Sequence, residues 1–453
     1  MKKKIYIIQP TYSLMDGKLI KEFPLFNYAY NLPILSATIP TDWEKETCLE
    51  YTEEVNFNSD ASVIIVTSPG YDIAHALEII KVFKGKNKRV VFGAHLDEFS
   101  DQILRNICDS VFYGIPNPDG MKQLLNDILN NELKSEYNFG KNLNFPFDYS
   151  VLKNTKMAFV PMIASMGCKY QCSYCCYPPI YKGHYNLRRV EHVISDLKQA
   201  AEFKKPIAFL DANIFNNRKY LISLCNKIIE EKISVLWGGQ CTVDIGDDDE
   251  VLNLLYKSGC RMIFLGLESL NNSNLRLLNK PMNADRYSRQ ISNIHNAGIK
   301  IGAFFLLGLD GDDSTTFDKI YSFFQENKIE VPYAHIYFPI PGTSMAANLK
   351  NQDRILEEYF EKYLEKKTEF SAPCSVAYFS PANLSKQELE SGFVYLFKRI
   401  TSLKNILRRA LVPDLKLAII ILKMNLEARR KYKSMSRNAK RLVKELKFEA
   451  TTA

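Results

Sequence analysis

At 453 residues the chain has length for two to three domains of roughly 100–200 residues each. Its 46% hydrophobic and 24% charged residues exclude extended disorder, a collagen-like repeat and a disulfide-stapled miniprotein. The net charge of +8 is concentrated at one end: sixteen Lys or Arg face three acids between Lys398 and Lys447, a local +13 that leaves −5 for the rest, which argues against nucleic acid as the partner.

The amino terminus runs from three lysines into the strand-like Ile5 to Gln9 and lacks the long apolar stretch of a secretory signal, so the expectation is a cytoplasmic protein. Val63–Val66, Arg89–Phe92 and Val111–Tyr113 read as further strands and Ala74–Phe83 as an amphipathic helix. Strands separated by helices predict a parallel, doubly wound sheet, in which ligands bind at the carboxyl ends of the strands. The turns at those ends are Pro10-Thr11-Tyr12, Thr67-Ser68-Pro69-Gly70, Gly93-Ala94-His95 and Gly114-Ile115-Pro116. Glu136 to Phe147, rich in Asn and interrupted by Gly140 and Pro146, reads as a linker.

A second alternating run follows. Its strand candidates are Ala158–Ile163, Ile207–Leu210, Val235–Trp237, Met262–Leu265, Gly302–Leu307 and Ala334–Phe338, with helical patterns at Val190–Phe203, Tyr220–Glu230, Glu250–Ser258, Asp285–Ala297 and Ser314–Asn327. Six such units suit a barrel-like parallel sheet whose working face lies at the strands' carboxyl ends. Asp310, Asp312 and Asp313 read as caps for the helix that begins near Ser314.

Ten cysteines occur, four of them within nine residues. Cys48, Cys108, Cys225, Cys241, Cys260 and Cys374 lie in or near apolar segments, where a thiol serves as a small hydrophobe. Cys168, Cys172 and Cys175 form Cys-x3-Cys-x2-Cys directly after the first strand of the second run. Three thiolates on one loop grip three irons of a cubane cluster and leave the fourth iron open to a small molecule. A zinc site wants a fourth ligand. His184 is the candidate for that role but reads as a loop residue, and Cys176, adjacent to Cys175, reads as a bystander.

This spacing, the aromatic Tyr174 before the third cysteine and the position after a first barrel strand resemble the radical S-adenosylmethionine enzymes, and the resemblance runs through about Thr343. It implies a 4Fe-4S cluster on Cys168, Cys172 and Cys175 that cleaves S-adenosylmethionine (SAM) to a 5'-deoxyadenosyl radical. Tyr174, Asp211, Gln240 and Glu268 would then face SAM, with Asp211 near its amino group and Glu268, in Gly266-Leu267-Glu268-Ser269, near its ribose. A one-electron reductant such as flavodoxin or ferredoxin is implied, and a small-molecule substrate. Gly298-Ile299-Lys300, Gly308-Leu309-Asp310 and Pro339 to Thr343 resemble the subgroup with an amino-terminal cobalamin-binding domain.

In that first domain, Thr67, Ser68, Gly93, Ala94, His95 and Gly114 are the residues that the resemblance places against cobalamin, the small residues at 93 and 94 letting the backbone approach a flat macrocycle. The Asp-x-His-x-x-Gly signature that gives cobalt a histidine is absent, which implies binding without one. The fold expected is therefore α/β: a Rossmann-like doubly wound sheet over 1–140, a partial (β/α)6 TIM-like barrel over 150–350, and a helical region over 351–453. The activity implied is cobalamin-dependent methylation of an unactivated carbon. Alternatives are a cobalamin-independent radical rearrangement or oxidation, a methylthiotransferase, and a non-catalytic metal-binding module. A methylthiotransferase would need three more thiolates in the first domain, where only Cys48 and Cys108 occur.

No apolar run reaches the ~20 residues of a membrane span; the longest candidate, Leu417–Leu422, is bracketed by Lys416 and Lys423. The basic tail reads either as the solvated face of docking helices, which the charge count favours, or as a surface attracted to anionic membrane.

Overall fold

Ile5-Tyr6-Ile7-Ile8 and Val63-Ile64-Ile65-Val66 are buried on both faces, a pattern that suits a parallel sheet with helices on both sides. The computed structural model describes residues 2–11, 19, 30–67, 73–93, 98–357 and 376–430. Its first sheet orders six parallel strands β2-β1-β3-β4-β5-β6, namely β1 (Lys4–Gln9), β2 (Glu44–Leu49), β3 (Val63–Thr67), β4 (Arg89–Gly93), β5 (Ser110–Tyr113) and β6 (Glu136–Asn138). The order reverses between β1 and β3, so the topological switch point lies beyond Gln9 and Thr67. Helix Ala74–Gly85 supplies Ala76, Leu77, Ile80 and Phe83 to the core against this sheet.

Two strands of this sheet escaped the sequence reading. Glu44-Lys-Glu-Thr-Cys-Leu49 carries its charges because it is an edge strand, exposed over its first half. The segment expected as a linker holds β6, and it is anchored beyond it: the guanidinium of Arg188, fully buried, donates to Phe145 O and Ile163 O, pairs with Asp196 at 2.7 Å and lies 3.5 Å over the Phe147 ring. Asp196 also accepts the Phe147 N–H.

The second sheet orders β14-β13-β12-β11-β10-β7: β7 (Val160–Met162), β10 (Ile207–Phe209), β11 (Trp237–Cys241), β12 (Cys260–Glu268), β13 (Lys300–Leu307) and β14 (Val331–Ile336), its described pairings all parallel. A two-stranded pair, β8 (Ser165–Gly167) and β9 (Tyr185–Leu187), brackets the cysteine segment. The architecture is thus the α/β succession expected, closed by carboxyl-terminal helices Lys386–Ile400, Leu403–Ala410 and 415–430. Two compact units divide the chain, one comprising Met1–Ser165 with Asn186–Leu210, the other Met166–Tyr185 with most of the chain from Asp211 on. Among the described residues, no helix is long and apolar enough to cross a membrane.

The scattered cysteines behave as small apolar groups: Cys48, Cys225, Cys241 and Cys260 are buried and Cys108 partly so, while Cys374 lies outside the described residues. None of the three aspartates read as helix caps occupies the cap of helix Thr316–Glu326, which is Thr315; Asp313 accepts the Thr315 N–H in the turn ahead of it. Asp312 is buried and accepts from Gly308 N, Leu309 N and Asn274 Nδ2, bracing the exit of β13, and Asp310 pairs with Arg354.

Candidate active site

The cysteine loop leaves β8 at Gly167, whose φ of +96° and crowding against His184 O suit only glycine. The loop has no regular structure, so its shape comes from tethers. Asn216 takes the Lys169 N–H and donates to Gly167 O. Asn279 donates to Gln171 O at 2.8 Å, and Ser173 donates its N–H to Leu278 O and accepts from Met345 N at 3.0 Å. The loop is thereby pinned between its second and third cysteines.

Cys168, Cys172, Cys175 and Cys176 are all partly buried. Burial pushes the Cys168 and Cys172 thiols up. For Cys175 the hydrogen bond with Cys176 is the leading cause, burial the next. The Cys172 thiolate is opposed by Cys168, and that of Cys175 by Cys172. Among the described residues no three His, Cys, Asp or Glu side chains are gathered as a metal-binding group, so the thiols are neighbours rather than a closed cage. Three partly buried cysteine thiols on one short loop are a donor set that fits an iron–sulfur cluster.

Beside the loop stands a buried triad. Tyr174 donates its hydroxyl to Glu268 Oε1 at 2.8 Å, and Lys280 Nζ lies 3.0 Å from the same oxygen. Glu268 ends β12 at a bulge, with φ of +65°, a left-handed conformation that a non-glycine residue adopts only at a cost. Gly266 leaves the room: a Cβ there would lie 2.4 Å from Glu268 Oε1 and 3.0 Å from Lys280 Nζ. Burial opposes the charge of Lys280, but Glu268 and the thiolates of Cys172 and Cys175 hold its pKa above the ordinary lysine value. The pairing of Lys280 with Glu268 over twelve residues is a tertiary fact without a sequence signature.

Tyr174, Glu268 and the cysteines thus come together. Asp211 is buried just past β10. Gln240 lies inside β11, which runs Trp237–Cys241 rather than ending at Trp237 as the sequence suggested, because Gly238 and Gly239 continue the strand. Strand register puts Gln240, Phe264, Phe304, Tyr333 and His335 on one face of the sheet. The opposite face, with Ile263, Leu265, Ala303 and Phe305, is fully buried.

Of the residues expected against cobalamin in the first unit, Thr67, Gly93 and Gly114 are described. Ser68, Ala94 and His95 lie outside the described residues. Gly93 makes room for the Phe112 ring, whose nearest atom would be 1.9 Å from an added Cβ, and Gly114, with φ of +80°, abuts Gly140 O. Both glycines are accounted for by internal packing. Thr67 is buried and accepts from Asn31 Nδ2. With Gln9, Thr11, Glu50 and His75 it makes a buried polar patch where β1, β2 and β3 end. His75 has both ring nitrogens engaged, at 2.8 Å from Glu50 and from Glu78.

This fold and loop define a radical SAM enzyme: residues 162–324 match the Radical SAM superfamily, so a 4Fe-4S cluster and SAM are its cofactors. The chain is related along most of its length to methyltransferases. It is 28% identical over 430 residues, 90% of this chain and 89% of the relative, to bacteriochlorophyllide d C-12(1)-methyltransferase of Chlorobaculum tepidum. It is 26% identical to the C-8(2)-methyltransferase of the same organism, over 75% of this chain and 79% of that one. Its fold is similar to that of TsrM from Kitasatospora setae, a radical SAM methyltransferase solved with cobalamin and a 4Fe-4S cluster (TM-score 0.61, 15% identity, 78% of each chain). OxsB, a cobalamin-dependent radical SAM enzyme, gives a TM-score of 0.60 at 13% identity, over 99% of this chain and 81% of that one.

Proposed function

We propose that this chain methylates an unactivated carbon of a small, flat, conjugated molecule of the tetrapyrrole kind, with cobalamin as a further cofactor. The observation that carries the reading is the succession, in one chain, of a six-stranded parallel sheet with a polar switch point and a barrel sheet bearing the cysteine loop, matched over 90% of its length by a tetrapyrrole methyltransferase. The aromatic face of β12–β14 supports the substrate class, since Phe304, Tyr333 and His335 stack within 19° of coplanarity and flat conjugated molecules pack on such rings.

In this reading Cys168, Cys172 and Cys175 hold the cluster and Cys176 does not. Glu268, fixed by Tyr174 and Lys280, binds the ribose of SAM, and Asp211 and Gln240 border the same site. When bound, cobalamin supplies the methyl group, and SAM at the reduced cluster supplies the radical that opens the substrate carbon. The buried patch of Gln9, Glu50 and Thr67 suits a cofactor held by hydrogen bonds. Both ring nitrogens of His75 are engaged by Glu50 and Glu78, which supports a cofactor bound without this histidine as a metal ligand. The domain assignment follows: residues 1–140 for cobalamin, 150–350 for the radical chemistry and 351–453 as the helical remainder, with a flavodoxin or ferredoxin delivering the electron.

The test uses anaerobically purified protein with hydroxocobalamin, SAM carrying a deuterated methyl group and a bacteriochlorophyllide-type macrocycle. Retention of corrinoid through gel filtration, a spectrum without an axial nitrogen, and a labelled methyl on the product are expected. Alanine at Cys168, Cys172 or Cys175 abolishes cluster absorbance and SAM cleavage, whereas Cys176→Ala preserves both. Turnover without corrinoid, or loss of the cluster in Cys176→Ala, defeats the corresponding part of the reading.

A further inference from the structure

The carboxyl-terminal helices are built inside out. Helix Leu403–Ala410 buries Asn405, Ile406 and Arg409 and turns Leu403 and Leu407 outward. This orientation is locked by polar contacts: Arg409 donates to Asn425 Oδ1 and Ile400 O, and Asn405 donates to Arg399 O and to the Tyr321 hydroxyl of helix Thr316–Glu326. Rolling the leucines inward would break every one of these buried bonds.

The following helix, 415–430, buries Leu417, Ile421, Met424 and Ala428 and again leaves apolar groups outside. Leu403 and Leu407 on the first helix, Leu411 in the break between the helices, and Leu415 and Ile419 on the second are 56%, 59%, 83%, 74% and 44% exposed. Among the described residues they are five of the ten exposed large hydrophobic side chains. Lys404, Arg408 and Lys416 directly follow three of them and are also exposed.

We propose that this leucine row with its interleaved cations is a docking surface for an anionic lipid bilayer, on which the enzyme rests without spanning it. Apolar side chains flanked by Lys and Arg are the signature of a helix lying at the headgroup boundary, where the leucines enter the acyl edge and the cations meet phosphate. Charge complementarity selects this occupant. A second copy of the same face would set cation against cation across a two-fold axis. A nucleic acid would meet the cations but leave the leucines in water. A merely solvated face would carry no leucine row. The inference is independent of the substrate proposed above.

The test is flotation of the full holoenzyme with phosphatidylglycerol vesicles and, in parallel, with phosphatidylcholine vesicles. Binding to the anionic vesicles only is expected, lost in about 1 M salt, where the Debye length falls to ~3 Å. The triple variant Leu407→Ser, Leu411→Ser, Leu415→Ser should bind at least about tenfold more weakly with cluster absorbance and helicity unchanged, since these side chains support no core. Lys404→Ala with Arg408→Ala and Lys416→Ala should also weaken binding. Absence of flotation, equal binding to neutral vesicles, or binding indifferent to the leucine changes would each overturn the proposal. So would a concentration-dependent dimer that the leucine variant dissolves without any vesicle binding.

Discussion

Glu268 shows how one residue joins strain, charge and chemistry. Its left-handed backbone, the bulge and the missing side chain at Gly266 aim a carboxylate at a lysine within a buried space. Removing one partner of such a pair leaves an uncompensated charge, which costs about 3–5 kcal/mol. Lys280→Met is therefore expected to lower stability by that order and to weaken SAM binding. The double variant Lys280→Met, Glu268→Gln recovers much of the stability in urea unfolding but not the SAM affinity, which separates the structural role from the binding role. The cysteine spacing and the aromatic before the third cysteine were legible at this scale because they are local. The contacts that Lys280, Asn216 and Asn279 make were not, because each is formed only by the tertiary fold.

Elements differ in how openly the sequence declares them. The apolar strands β1, β3, β4 and β5 were found to within a residue or two, since burial on both faces forces a continuous hydrophobic run. The edge strands β2 and β6 were missed because an edge tolerates charge. At Gly93 a small residue at a strand end signals close approach without saying by what, and one close neighbour is the Phe112 ring. Gly93→Ala should destabilise by about 1–3 kcal/mol or more through overpacking. Phe112→Leu in the same chain should return part of that loss, as read from urea midpoints.

Helix Ala74–Gly85 carries a pH-dependent contribution. Burial disfavours the charge of His75, but Glu50 and Glu78 outweigh it and raise its pKa above the ordinary imidazole value. The folded state then favours the proton. The stabilisation is fully present below the unfolded value of about 6.5 and is lost as pH rises through the higher native one. The difference in Tm between the wild type and His75→Gln should accordingly be larger at acid pH than at alkaline pH. An unchanged difference would mean that folding does not shift the His75 pKa, and a smaller one at acid pH that burial outweighs the two carboxylates.

For the whole molecule, the segment that carries the iron ligands is held by partners encoded much later. Ser173 is clamped by Leu278 and by Met345, at the start of helix Ser344–Asn351, and Gln171 by Asn279. On a ribosome these partners emerge after the cysteines, so the nascent loop lacks its last tether until about 170 further residues have been made. Iron delivery is then a late event in biogenesis, and three thiols stay open to oxidation while synthesis continues. A chain ended after residue 340 should fail to take up the cluster under conditions that load the full protein, as ultraviolet–visible absorbance would report. The reading frame itself thereby imposes an order of assembly: polypeptide first, metal afterwards, with oxygen the hazard in the interval.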